Sequence, residues 1–163
     1  MQYSDKVERA LAFATEKHKG QKRIGGEDYI THPMAVCDAV SNQGYGDDYR
    51  IAALFHDLLE DTDATEEEIL QYGNHEVLTA VKLLTKKKGY DMAEYIGAIK
   101  SNEIALAVKA EDRLHNLQCA FVASNEFKRR YILETLEWYM DFSPEIKTAV
   151  ERLQEDLDAS VKE

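Results

Sequence analysis

Between Arg50 and Asp61 the chain reads RIAALFHDLLED. Ile51, Ala52, Ala53, Leu54, Phe55, Leu58 and Leu59 make it apolar on nearly every side, the pattern of a buried helix. Yet His56 and Asp57 stand together at its centre, and Glu60 and Asp61 close it. Buried charge is costly unless it is paired or bound to a metal. These three carboxylates and one imidazole have no basic partner among residues 56–61, so a divalent cation is the simplest neutraliser. On a helix His56 and Asp57 lie about 100° apart and can turn toward one ion. Glu60 follows His56 by one turn and Asp61 follows Asp57, which sets a second carboxylate pair just beyond the first. The competing reading is plain: a His-Asp dipeptide is common, and a histidine on an apolar helix is more often a satisfied core residue.

Two more segments supply candidates. His32 stands just before Pro33 at a loop–helix junction, where a scaffold can hold a ligand rigidly. Asp112 lies inside the helical stretch Glu103–Leu117, with Asn116 one turn on and Cys119 one more, on a shared face. Two histidines and two aspartates form a mixed nitrogen and oxygen set. It suits Mn2+, Fe2+ or Zn2+ better than Ca2+, which prefers oxygen alone. The three segments are far apart in sequence, and spacing alone does not join them.

The elements that must position these residues read as helices throughout. Apolar stripes of helical period predict helices over about 4–19, 33–41, 48–60, 65–72, 75–85, 92–100, 104–120, 126–141 and 144–160. Gly20 suits a helix end, Pro33 a helix start, and Thr65 with Glu68 a capping box. Val7, Ala10, Leu11 and Ala14 form the first core stripe, and Ile132, Leu136 and Tyr139 a later one. Ile146, Val150, Leu153 and Leu157 form the last. Strand-like alternation, internal repeats and linkers are missing. With 163 residues, 44% hydrophobic and 31% charged, the chain suits one domain spanning 1–163.

Composition also bounds the partners. A net charge of −11 argues against non-specific binding to nucleic acid. No apolar run approaches membrane-spanning length, so no membrane partner is expected. The start, Met-Gln-Tyr-Ser-Asp-Lys, lacks the apolar core of a signal peptide. Cys37 and Cys119 make no disulfide framework, which predicts a cytoplasmic chain.

The order His32, His56-Asp57, Asp112 resembles the H…HD…D pattern of the HD superfamily of metal-dependent phosphohydrolases. Four blocks are similar to the hydrolase domain of RelA/SpoT-type proteins: HKGQKRIGGEDYITHP (18–33), AALFHDLLEDT (52–62), YGNHEVLTAVKLLTK (72–86) and KAEDRLHNL (109–117). The chain therefore resembles the small stand-alone alarmone hydrolases. The resemblance implies an all-α, single-domain HD fold of about eight to nine helices around one metal ion. It implies an Mn2+-dependent enzyme that removes the 3′-pyrophosphate of guanosine 3′,5′-bis(diphosphate), a small-molecule nucleotide. His32, His56, Asp57 and Asp112 match the metal ligands. Glu60 and Asp61 match the acidic pair that orients and activates water. Arg23 matches the arginine that packs on the base, and Asn116 the asparagine that contacts the nucleotide. Residues from about Phe121 do not follow the long RelA/SpoT chain, and no synthetase domain fits in 163 residues.

Two departures bear on the substrate. Ile24 stands where the family usually has a basic residue, and Cys119 where it usually has a hydroxyl. They keep open a different nucleotide substrate, such as a nucleoside monophosphate or the 2′-phosphate of NADPH, and a sensor without turnover. Of the remaining polar residues, His18 is expected to make a structural hydrogen bond and His75 to lie on the surface. His115 is expected to point away from the ligand face in a supporting role, and Trp138 and Tyr139 to fill core. Lys86–Lys88 form a basic turn, either solvated or drawn to phosphate.

Overall fold

The computed structural model describes residues 3–162, and among them every regular element is helical. A lone antiparallel bridge pairs Lys22 with Asp28. The helices are α1 (Asp5–Lys17), α2 (Thr31–Asn42), α3 (Asp47–Phe55), α4 (Leu58–Asp61), α5 (Glu66–Tyr72), α6 (His75–Leu84), α7 (Met92–Lys100), α8 (Glu103–Cys119), α9 (Asn125–Trp138) and α10 (Pro144–Lys162). A 3-10 turn, Ala120–Val122, follows α8.

Helix α3 is the innermost element. Ile51 to Phe55 are wholly buried, and α1, α2, α6 and α8 surround them. Burying each such large aliphatic side chain contributes about 1.5–3 kcal/mol. The first core gathers residues from α1 through α8 around α3, with Tyr139 added. A second core joins Leu117 and Ala120 to Ile132, Ile146, Val150, Leu153 and Leu157. Phe142 packs against both. Local signals end the helices as expected. Thr65 and Glu68 form the capping box, and Gly20 turns the chain after α1 at φ +88°.

The structure corrects three expectations. The helix expected over 48–60 is broken at His56 and Asp57 into α3 and α4, giving ten α-helices among the described residues. The cause is the histidine itself. The Ala53 carbonyl, which would continue the ladder, takes the His56 Nδ1–H at 2.6 Å. The second helix begins at Thr31, so His32 and Pro33 lie within its first turn. Pro33 forfeits no bond there, because the first N–H groups of a helix lack internal partners. On α9, Leu136 is half exposed and Thr135 is buried in its place, bonded to the buried Arg113.

Candidate metal centre and nucleotide cavity

Three elements bring four side chains together: the start of α2, the α3–α4 break and the middle of α8. His32 Nε2 lies 2.8 Å from Asp112 Oδ1. His56 Nε2 lies 3.4 Å from the same oxygen and 3.1 Å from Asp57 Oδ2. Donor atoms of His32, His56 and Asp57 all fall within 4.8 Å of one another. His32, His56 and Asp112 are buried, and His56 Nε2 has no hydrogen-bond partner. The α3–α4 break positions His56 for this. Its Nδ1–H is spent on Ala53, which leaves Nε2 facing the centre, to carry a proton or a metal.

Supporting contacts orient each candidate ligand. Asp112 Oδ1 accepts Asn116 Nδ2 at 3.1 Å, and Oδ2 accepts the Lys109 ammonium at 3.0 Å. The Tyr29 hydroxyl donates to Asp57 Oδ2 at 2.5 Å. His32 Nδ1 and His115 Nδ1 are 2.7 Å apart, so one of them carries the proton. Lys109 and Tyr29 escaped the sequence reading. Lys109 was in principle legible, three residues before Asp112 on one helix face. Tyr29 lies in a loop, where no periodicity points to it.

The electrostatics suit a cation. Burial would push the Asp112 carboxyl up, but Lys109 and His56 hold it well below the usual range. Burial likewise opposes ionisation of Asp57, which His56 brings down to about 2. Burial would lower the His56 pKa, yet Asp57 and Asp112 drive it well above its ordinary value. Positive charge is thus favoured at the point where the four side chains meet. Convergent donors, an orphaned imidazole nitrogen and two ionised carboxylates fit a divalent transition metal.

Glu60 and Asp61 border this centre. Oxygens of Asp57, Glu60 and Asp61 lie within 4.8 Å of one another, so the second carboxylate pair falls beside the first as the spacing predicts. Burial, then the charges of Asp57 and Glu60, push the Asp61 carboxyl up to about 6. Glu60 Oε1 accepts the Lys86 backbone N–H at 2.6 Å.

An open cavity of about 610 Å³ adjoins the centre, lined in part by Tyr29 and Asn116, which bond Asp57 and Asp112. Arg23, Ile24, Asn116, Cys119, Phe127 and Tyr131 are among its walls. Arg23 donates to Asn116 Oδ1 at 3.1 Å, so the two residues that the resemblance assigns to the nucleotide meet. Ile24 is 69% exposed at the cavity and brings no charge. Phe127 and Tyr131 stack with centroids 5.2 Å apart, an aromatic wall outside the family blocks and unseen in the sequence reading. Cys119 Sγ lies 3.5 Å from His115 Nε2. His115 turns toward the ligands instead of away, lining the cavity and meeting His32 in the supporting role expected of it. His18 bonds Gln21, whose amide donates to the Asp61 carbonyl, a structural role as expected. His75 is exposed, Tyr139 is buried and Trp138 is partly buried against the first core. Lys86–Lys88 do not line the cavity.

A family model described as HD domain matches residues 10–144. The chain belongs to the HD-domain family. HD-domain membership carries the expectation of a bound divalent metal, and the His32, His56 and Asp57 group could hold one. Among curated proteins, the chain is similar to a guanosine-3′,5′-bis(diphosphate) 3′-pyrophosphohydrolase of Aquifex aeolicus, 35% identical over 146 residues. That match covers 85% of this chain and 21% of the relative. It is also similar to the bifunctional (p)ppGpp synthase/hydrolase SpoT of Escherichia coli, 32% identical over 164 residues, covering 91% of this chain and 23% of the relative. The chain thus spans about a fifth of the length of the curated relatives it matches. A solved structure described as a metazoan ortholog of SpoT that hydrolyzes ppGpp shares the fold, with a TM-score of 0.71 at 22% identity. It covers 98% of this chain and 95% of its own. No helix among the described residues is long and apolar enough to cross a membrane.

Proposed function

We propose that this HD-domain chain is an Mn2+-dependent phosphohydrolase that removes the 3′-pyrophosphate from guanosine 3′,5′-bis(diphosphate). The observation that carries the reading is the meeting of His32, His56, Asp57 and Asp112 beside two further carboxylates, next to an open cavity holding Arg23 and Asn116. The first four would hold the ion. A bound divalent cation supplies Lewis acidity, which makes water more acidic and offsets charge on phosphoryl oxygens. Glu60 and Asp61 orient the attacking water, and Asp61 accepts its proton. Water adds to the phosphorus next to the ribose 3′ oxygen, and the bond between them breaks; the 3′ oxygen takes up a proton from solvent to become a hydroxyl as pyrophosphate leaves. Arg23 packs its guanidinium plane on the base, and Asn116 contacts the nucleotide. We also infer that residues 1–163 act as one domain, supported by α8, which contributes to both cores. Action in the cytoplasm is supported by Cys37 and Cys119, both free thiols.

The test is release of pyrophosphate from guanosine 3′,5′-bis(diphosphate) by purified protein with Mn2+. Turnover that a chelator abolishes and Mn2+ restores is expected. Ile24 favours a second reading, another nucleotide with fewer phosphates, because the cavity lacks the charge the family usually sets there. Cleavage of such a nucleotide without release of pyrophosphate from the alarmone would replace the first reading by the second.

A further inference from the structure

Glu60 sits at the exposed end of a four-residue helix, and it is held from outside that helix. Among the described residues, its side chain makes one hydrogen bond, from the Lys86 backbone N–H to Oε1 at 2.6 Å. A bond from an amide to an ionised carboxylate is among the strong ones and fixes direction as well as charge. The donor is itself well anchored. Thr85 Oγ1 donates to the Val81 carbonyl at 2.7 Å, and the Tyr95 hydroxyl donates to the Leu84 carbonyl at 3.0 Å. The Lys86 ammonium lies 5.4 Å from the Tyr90 ring centroid and 5.5 Å from that of Tyr95, directed at α7 and its approach. Lys86 is absent from the cavity walls. The charge of this residue and its amide therefore serve different purposes.

We propose that the Lys86 backbone amide is the positioning group for Glu60, holding Oε1 so that the other oxygen is presented to the attacking water. The inference rests on the proposed role of Glu60 as a water-orienting carboxylate. It gives the lysine turn after α6 a part in the reaction through its backbone instead of through attraction of phosphate.

Removing the N–H tests this. Lys86→Pro deletes it, and Thr85 already has the extended backbone, φ −89° and ψ 120°, that a residue before proline prefers. With guanosine 3′,5′-bis(diphosphate) and Mn2+, Lys86→Pro should lose about 10- to 100-fold in kcat, with KM retained. Lys86→Ala keeps the N–H and should restore most of the rate. In a Glu60→Gln background the proline should cause little further loss, because the carboxylate that the amide positions is already gone. Should the proline variant fail to fold, the α-hydroxy acid counterpart of lysine at position 86 replaces the N–H with an ester oxygen and leaves φ free. The same loss of kcat is expected there. Wild-type kcat in the ester variant overturns the proposal, as does a loss that multiplies in the Glu60→Gln background. A fast Glu60→Gln enzyme would instead overturn the role of Glu60, and this inference with it. A slow Glu60→Gln enzyme with fast amide variants would overturn this inference alone.

Discussion

At the scale of single residues, the centre is defined by which atom each side chain has left to offer. His56 spends Nδ1–H on Ala53 and keeps Nε2, and Asp112 gives one oxygen to Lys109 and turns the other inward. His56→Ala and Asp57→Ala should therefore lose most bound metal, measured by elemental analysis after gel filtration, while the circular dichroism stays helical. Asp61 is expected to behave differently. Asp61→Asn should keep its metal and lose about 100-fold or more in kcat. It should also change stability with a defined sign. The Asp61 carboxyl is raised in the folded chain to about 6, so its ionisation there is unfavourable. The stability the protonated group contributes is full below about pH 4, the ordinary aspartate value, and is lost as pH rises through the folded value. Metal-free Asp61→Asn should accordingly melt higher than metal-free wild type above about pH 6. The gap should close toward pH 4, and a thermal melt series across that range measures it. A gap that widens on acidification would show that burial does not strain this carboxylate.

At the scale of elements, α8 does most of the positioning. Lys109, His115 and Asn116 each lie three or four residues from Asp112, so one helix face presents a candidate ligand and its three supports. Lys109 lies 5.8 Å from the ring centroids of both Tyr95 and Tyr139, which keeps it aimed at Asp112. Lys109→Met should weaken Mn2+ binding by about 10- to 100-fold, the usual cost of losing an outer hydrogen-bond partner, and Lys109→Arg should recover part of it. Titration calorimetry reads this without any turnover. Affinity equal to wild type in Lys109→Met would show that Asp112 holds its direction alone. The α3–α4 break belongs to the same scale. Its residues read as one continuous buried helix, because periodicity reports which side chains are apolar and is silent about a side chain that captures a backbone carbonyl.

At the scale of the whole molecule, the proposed function requires a chain of net charge −11 to admit a polyanion. In the cavity, Arg23 is the cation that meets Asn116, while Lys22 is paired with Asp28. Ile24 adds nothing to this field. A charged contact is worth roughly 1–3 kcal/mol, about 5- to 150-fold in affinity. Ile24→Lys should lower KM for guanosine 3′,5′-bis(diphosphate) within that span and leave kcat nearly unchanged, the sign of added uniform binding. The gain should shrink as salt rises, since an exposed charge is screened. An unchanged KM would mean that the phosphates do not pass near position 24.

The all-helical class was legible in the sequence, because the 3.6-residue period of apolar positions is a local property. So was the adjacency of Glu60 and Asp61 to Asp57, because residues about one turn apart stay neighbours even across the broken turn. The family pattern singled out His32 and Asp112, but their meeting with His56 joins residues up to 80 positions apart. Only the packing of α2, α3 and α8 around one core produces it. Tertiary structure alone also decided that the Phe127–Tyr131 pair walls the cavity, that Leu136 faces solvent and that the Lys86 amide grips Glu60. Two physical reasons account for them. A stripe of apolar residues says that a face can be buried, whereas what covers it depends on the helices that close over it. A backbone N–H is present at nearly every position, so no pattern of side chains marks the one that finds a carboxylate.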